Sequence, residues 1–149
     1  MKISLRLYGL AIIILMVMLI PVYSCHVSNT TESLAPEKIK IVGIVPPNDL
    51  DLKDAGNKPA KTFKVKAGKS ISWLLNSHDV LSIDSIYRKP GSTGNFLFKT
   101  GPSRNGSSQN WDATIDSAAQ PDQFEDYNID WTDKSGVHHT FDPRILVKS

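Results

Sequence analysis

Beyond residue 36, apolar and polar positions alternate with a period of two. Ile39, Ile41, Gly43 and Val45 alternate with Lys38, Lys40, Val42 and Ile44. Phe63 and Val65 alternate with Thr62, Lys64 and Lys66. Ala67-Gly68 supplies a turn, and Ile71, Trp73 and Leu75 follow on one face. The stretch Val80 to Arg88 continues with Leu81, Ile83 and Tyr87, and Phe96 and Phe98 form a short run. Trp111, Ala113 and Ile115, then Tyr127, Ile129 and Trp131, repeat the alternation against Asn and Asp residues. Val137, His139 and Phe141 lead into Ile145 and Val147. This pattern predicts half-buried antiparallel strands.

Turn-forming clusters fall at Pro46 to Pro59, Lys89 to Gly94, Gly101 to Ser108 and Ser117 to Asp126. The segment Thr132 to Gly136 predicts a hairpin loop, with Gly136 free to take positive φ. No stretch of the domain sustains a 3.6-residue apolar period. The one fragment of helix to expect is Ala118 to Phe124, kept short by Pro121. About eight strands in a single domain predict an all-β fold, an antiparallel β-sandwich spanning residues 37–149.

The N-terminus carries a different pattern. Lys2 and Arg6 precede an unbroken apolar run from Leu10 to Ile20, and Pro21 ends it. The run is about half of what a membrane-spanning helix needs, so residues 1–24 are expected to be a cleaved signal peptide rather than a permanent anchor. Cys25, the only cysteine of the chain, stands directly after the expected cleavage point. The stretch Ile20 to Cys25 (IPVYSC) resembles a bacterial lipobox, with Ser24 in the small position before the cysteine. That resemblance implies a lipid anchor on Cys25, which would also remove an unpaired thiol from an oxidising compartment. Val22 and Ser24 would also suit an ordinary signal peptidase cutting at the same bond, but a cysteine at this one position favours lipidation. Residues 25–36, short and polar, then read as a tether. No acidic residue follows Cys25 directly, and by resemblance to sorting signals this favours the outer membrane of a cell envelope.

Charge adds an exclusion. The formal net charge of +2 resides in Lys2 and Arg6, so the remainder is neutral. No basic stripe for nucleic acid and no polybasic patch for anionic lipid is expected from such a balance.

Phe63 to Trp73 (FKVKAGKSISW) and Tyr127 to Val147 are similar to a cupredoxin or immunoglobulin-like sandwich. In copper-binding cupredoxins the second region carries a cysteine and then histidine and methionine. Here Trp131 stands about where the cysteine would be, and Asp142-Pro143 near the methionine position. All three methionines, Met1, Met16 and Met18, lie in the signal segment. A type 1 copper site needs a thiolate, so the resemblance implies the fold without that chemistry.

Candidate chemistry is sparse. His138 and His139 are neighbours on a strand and point to opposite faces; His138 with His78 is the one pair that could reach a metal from two strands. Asp112 and Asp116 share the polar face of one strand and could form an acid pair, with Asp122, Glu125 and Asp126 in the loop that follows. Arg104 is the one charge of the loop Thr100 to Gln109 and could meet a carboxylate or phosphate. Trp73, Trp111 and Trp131 alternate in phase with aliphatic residues, so core packing is their expected role. No nucleophile-and-base arrangement can be assembled, and no cofactor motif is present. The expectation is a non-enzymatic, lipid-tethered sandwich binding a partner or ligand in the envelope, with Arg104, Trp111 and His138 as ligand contacts. Its alternatives are a cupredoxin-like metal-binding or redox-accessory protein, and a hydrolase built on Asp112 and Asp116.

Overall fold

Ten strands run through residues 35–149, the part of the chain that the computed structural model describes. They are β1 (Glu37–Val45), β2 (Asp49–Lys53), β3 (Thr62–Lys66), β4 (Ser70–Leu75) and β5 (Val80–Arg88), followed by β6 (Phe98–Arg104), β7 (Trp111–Ile115), β8 (Phe124–Asp133), β9 (His138–Phe141) and β10 (Arg144–Lys148). Two five-stranded sheets result. One has the order β2-β1-β4-β7-β6; the other has β3-β10-β8-β5, with β9 also paired to β8. The all-β sandwich expected from the alternation is the fold the chain adopts. The signal segment, Cys25 and all of the tether before residue 35 lie outside the described residues.

The inward faces of the two sheets form a single core. Ile39, Ile41, Ile71, Trp73 and Ile115 from the first sheet meet Val65, Ile83, Tyr127, Ile129, Trp131 and Ile145 from the second, all fully buried. Trp73, Phe98 and Tyr127 pack edge to face, with centroids 5.6–6.1 Å apart. Trp73 Nε1 donates to Tyr127 Oη at 3.1 Å, satisfying two polar groups inside the core. Burial pushes the Tyr127 phenol well above its ordinary range, so it stays protonated.

Strand direction departs from the expectation at two places. β1 pairs β4, and β10 pairs β3, in parallel. Alternation reports which face is buried and carries no sign for direction. The chain runs through β1 and β2, crosses to the other sheet for β3, and returns beside β1 as β4; that crossing makes the pair parallel. Consequently the Phe63 to Trp73 segment is a connection between sheets, turning at Gly68 (φ 76°), and not a hairpin within one.

Register differs where bulges intervene. β5 shifts register between Val80 and Ser82 and again between Ile83 and Ser85. Each extra residue turns the next side chain over, so Val80, Ile83 and Ile86 face the core while Leu81 and Tyr87 face out. In β1 a shift between Ile41 and Gly43 leaves Ile44 against the core and Val45 exposed. The expected loop Pro46 to Pro59 holds β2, whose Leu50 and Leu52 are buried. Likewise β6 runs into the expected loop at Gly101, which takes φ 77° and where a Cβ would lie 2.6 Å from the Asp112 carbonyl oxygen. Ala118 to Phe124 forms turns and the start of β8, with no helix. There Asp116 accepts the Ala118 amide and Gln123 accepts the Gln120 amide, holding the backbone in turns instead.

One buried carboxylate lies in a segment that reads as a polar turn. Glu125 is 2 % exposed. Its Oε2 accepts the Leu97 and Phe98 amides at 2.6 and 3.3 Å, and Oε1 lies 3.8 Å from Arg88 Nη1. Arg88 in turn donates to the carbonyls of Ser92, Gly94 and Asn95, and its guanidinium lies 3.8 Å from the centre of the Phe96 ring. Burial raises the Glu125 pKa, and the two amides and Arg88 act against it. This pair pins the loop between β5 and β6 to the edge of the core.

Candidate functional site

The outward face of the second sheet carries a connected set of hydrogen-bonded polar side chains. Three neighbouring strands contribute, β5, β8 and β9, and the two bulges of β5 decide which of its side chains take part. Asp84 and Tyr87 project outward there, beside Asn128, Asp130 and Thr132 of β8 and His138 and Thr140 of β9. Asp84, Tyr87, Asp130, His138 and Thr140 line a shallow depression of about 430 Å³.

Hydrogen bonds organise this face in rows. Asp130 accepts from Ser85 Oγ at 2.9 Å, Thr140 Oγ1 at 2.7 Å and Tyr87 Oη at 3.4 Å. Asp84 accepts from Ser82 Oγ at 2.5 Å and Thr132 Oγ1 at 2.6 Å, and His138 Nδ1 lies 3.4 Å away. Partial burial works to raise the Asp84 pKa, but the hydrogen bonds from Ser82, Thr132 and His138 together hold it below the ordinary value. The group is therefore an anion at neutral pH. The single proton of the Thr132 hydroxyl goes to Asp84, so its 2.9 Å contact with His138 Nδ1 needs the ring to donate. That places a proton on Nδ1 and leaves Nε2 as the acceptor of the neutral ring. Such a surface offers two carboxylates, an imidazole nitrogen and an exposed phenol.

His139 turns the other way. Its ring stacks on Trp131 with centroids 4.4 Å apart, and Nε2 meets Asp133 Oδ2 at 3.1 Å. Asp133 also accepts from Ser135 and Val137, which closes the β8–β9 hairpin around Gly136 (φ 84°). Hydrogen bonds from Ser135, His139 and Val137 hold the Asp133 carboxyl far below the usual range.

Arg104 and Trp111 are brought together, as register partners across β6 and β7. The guanidinium sits 5.7 Å from the Trp111 ring centre. Both donate to one acceptor on the opposite sheet, the Ile83 carbonyl, at 2.8 Å from Arg104 Nη2 and 3.4 Å from Trp111 Nε1. They latch the two sheets at the β5–β6 seam. His138 belongs to the outward face of the second sheet, where it meets Thr132 and Asp84.

His78 lies exposed in the loop before β5, outside the depression that His138 lines. No group of three or more His, Cys, Asp or Glu side chains is placed to hold a metal ion among the described residues. Asp112 and Asp116 do not act as a pair. Asp112 accepts from Ser72 Oγ at 2.5 Å and Asn105 Nδ2 at 2.6 Å on the outer face of the first sheet, whereas Asp116 caps the turn after β7. Asp126 pairs with Arg144 at 2.7 Å.

Asp84, Tyr87, Asp130 and Thr140 were not marked by the sequence as site residues. The outward placement of Asp130 follows from simple alternation in β8. So does that of Asp84, next to the inward Ile83, whereas that of Tyr87 depends on bulges, which leave no signature in this strand. Among known proteins, no family model and no curated sequence matches this chain.

Proposed function

We propose that this protein is a lipid-anchored, non-enzymatic β-sandwich of a bacterial cell envelope, held at the outer membrane through Cys25 after removal of residues 1–24. Its binding surface is the outward face of β5, β8 and β9, and the ligand it suits is rich in hydroxyl groups, as a glycan is. The observation that carries the reading is the row structure of that face. Asp84 and Asp130 are fixed by neighbouring hydroxyls, stand ready to accept further O–H donors, and flank the exposed Tyr87 ring. A carboxylate accepts up to about four hydrogen bonds, and a tyrosine ring can lie against the apolar face of a sugar. The Cys25 anchor rests on the lipobox resemblance.

The cupredoxin-like alternative, a metal-binding or redox-accessory role through His78 and His138, is favoured by one contact, the approach of His138 to Asp84. One NMR titration separates the two. Envelope oligosaccharides are expected to shift the signals of Tyr87, Asp130 and His138 and leave His78 unmoved. Joint broadening of His78 and His138 by a divalent metal, with no response to oligosaccharides, would replace the glycan reading by the metal one.

A further inference from the structure

The first residues of the domain open onto a groove of about 740 Å³ at the seam between β1 and β3, the side of the sandwich away from the Arg104–Trp111 latch. Four lysines from separate parts of the chain line it: Lys38 of β1, Lys58 of the β2–β3 loop, Lys64 of β3 and Lys148 of β10. Lys148 is paired with Glu37 at 3.4 Å. Lys38, Lys58 and Lys64 are exposed, and their ammonium groups have no anionic partner among the described residues. The opposing charge at the rim, Asp54, is turned into its own loop, where Oδ1 accepts the Lys58 amide at 2.9 Å. Lys40 fastens that loop to β1 through the Ala55 carbonyl and Asn57 Oδ1, at 3.3 and 3.0 Å, which fixes where Lys58 stands.

Pro36, the last residue of the tether, also lines the groove. An extended chain gains about 3.5 Å per residue, so the stretch from Cys25 to Pro36 reaches about 40 Å at most and keeps the groove within reach of a bilayer that holds Cys25. The end of the domain joined to the tether is thus the end that carries the unpaired lysines. We infer that this lysine groove docks on anionic phospholipid headgroups, setting the domain down on its Pro36 end and turning the β5–β8–β9 face to the side. The inference rests on the lipid-anchor reading for its orientation. Net charge conceals it, since the lysines lie far apart in sequence and meet only through the parallel β10–β3 pairing and the β2–β3 loop.

Each lysine near an anionic surface contributes about fivefold in partitioning. The test uses residues 35–149, which carry the complete two-sheet core and lie in a compact unit of their own, so no lipid on Cys25 can contribute. Sedimentation with phosphatidylglycerol–phosphatidylcholine vesicles at low salt is expected to pull the domain down, and vesicles of phosphatidylcholine alone are not. Lys38→Glu/Lys64→Glu should weaken the binding by about tenfold or more, while Lys99→Glu/Lys134→Glu, with the same change of charge elsewhere, should weaken it far less. A cooperative thermal melt of each variant checks that it is folded. Equal loss in the two double variants, or no preference for anionic vesicles, overturns the inference. Neither result bears on the anchor, which the mass of Cys25 reports separately.

Discussion

Glu125→Ala will cost the domain about 3 kcal/mol of stability, read as a lowered urea midpoint with an unchanged slope. The loss comes mainly from the Leu97 and Phe98 amides, which donate to one buried carboxylate oxygen and would be left without an acceptor. Hydrogen bonds to a charged group are worth roughly 1.5–3 kcal/mol each. The Arg88 contact adds less, because it is long at 3.8 Å and Arg88 keeps three carbonyl partners. Glu125→Gln retains a carbonyl oxygen for the two amides and should cost about a third as much, on the order of 1 kcal/mol. Equal losses in the two variants would mean that the ion pair with Arg88 dominates instead. An alanine variant as stable as the parent would show that the loop before β6 does not depend on Glu125.

Trp73→Ala will be at least as severe, at about 3–5 kcal/mol. Trp73 is fully buried and forms the centre of the edge-to-face cluster with Phe98 and Tyr127. Removing it leaves a large cavity and strips the Tyr127 hydroxyl of its donor. A domain of this size holds about 5–15 kcal/mol in total, so a large fraction of that margin goes with one side chain. Tyr127→Phe isolates the polar part of the effect: it orphans Trp73 Nε1 at a cost of about 1–2 kcal/mol. Both are measured by denaturant unfolding. A Trp73→Ala loss below that of Tyr127→Phe would contradict the packing described here.

The core was the most legible part of the chain. In β8, Tyr127, Ile129 and Trp131 alternate strictly with Asn128 and Asp130, and every one of the three is buried. In β5 the same rule failed. Two bulges convert a period of two into one of three, and nothing in VLSIDSIYR distinguishes a bulged strand from a regular one. The outward face inherits that limit, because Tyr87 joins it only through those bulges, whereas Asp84, His138 and Asp130 follow from alternation. β2 was legible in principle: Leu50 and Leu52 alternate with Asp49, Asp51 and Lys53, but the flanking prolines and asparagine read as one long turn. Glu125 is in phase with Tyr127, Ile129 and Trp131, but its charge argued against burial. A carboxylate between Phe124 and Asp126 looks solvated until Leu97 and Phe98 arrive from a distant strand to bind it. The lysine groove was hidden for the same reason, since pairing distant segments creates it.

The proposed lipid anchor is read by intact mass spectrometry of the protein from its own host's envelope. Anchoring at Cys25 predicts a chain that begins there, lacks residues 1–24, and carries the added mass of diacylglycerol on the cysteine. A chain that keeps those residues, or one cut before Cys25 with a free thiol and no lipid, would contradict it.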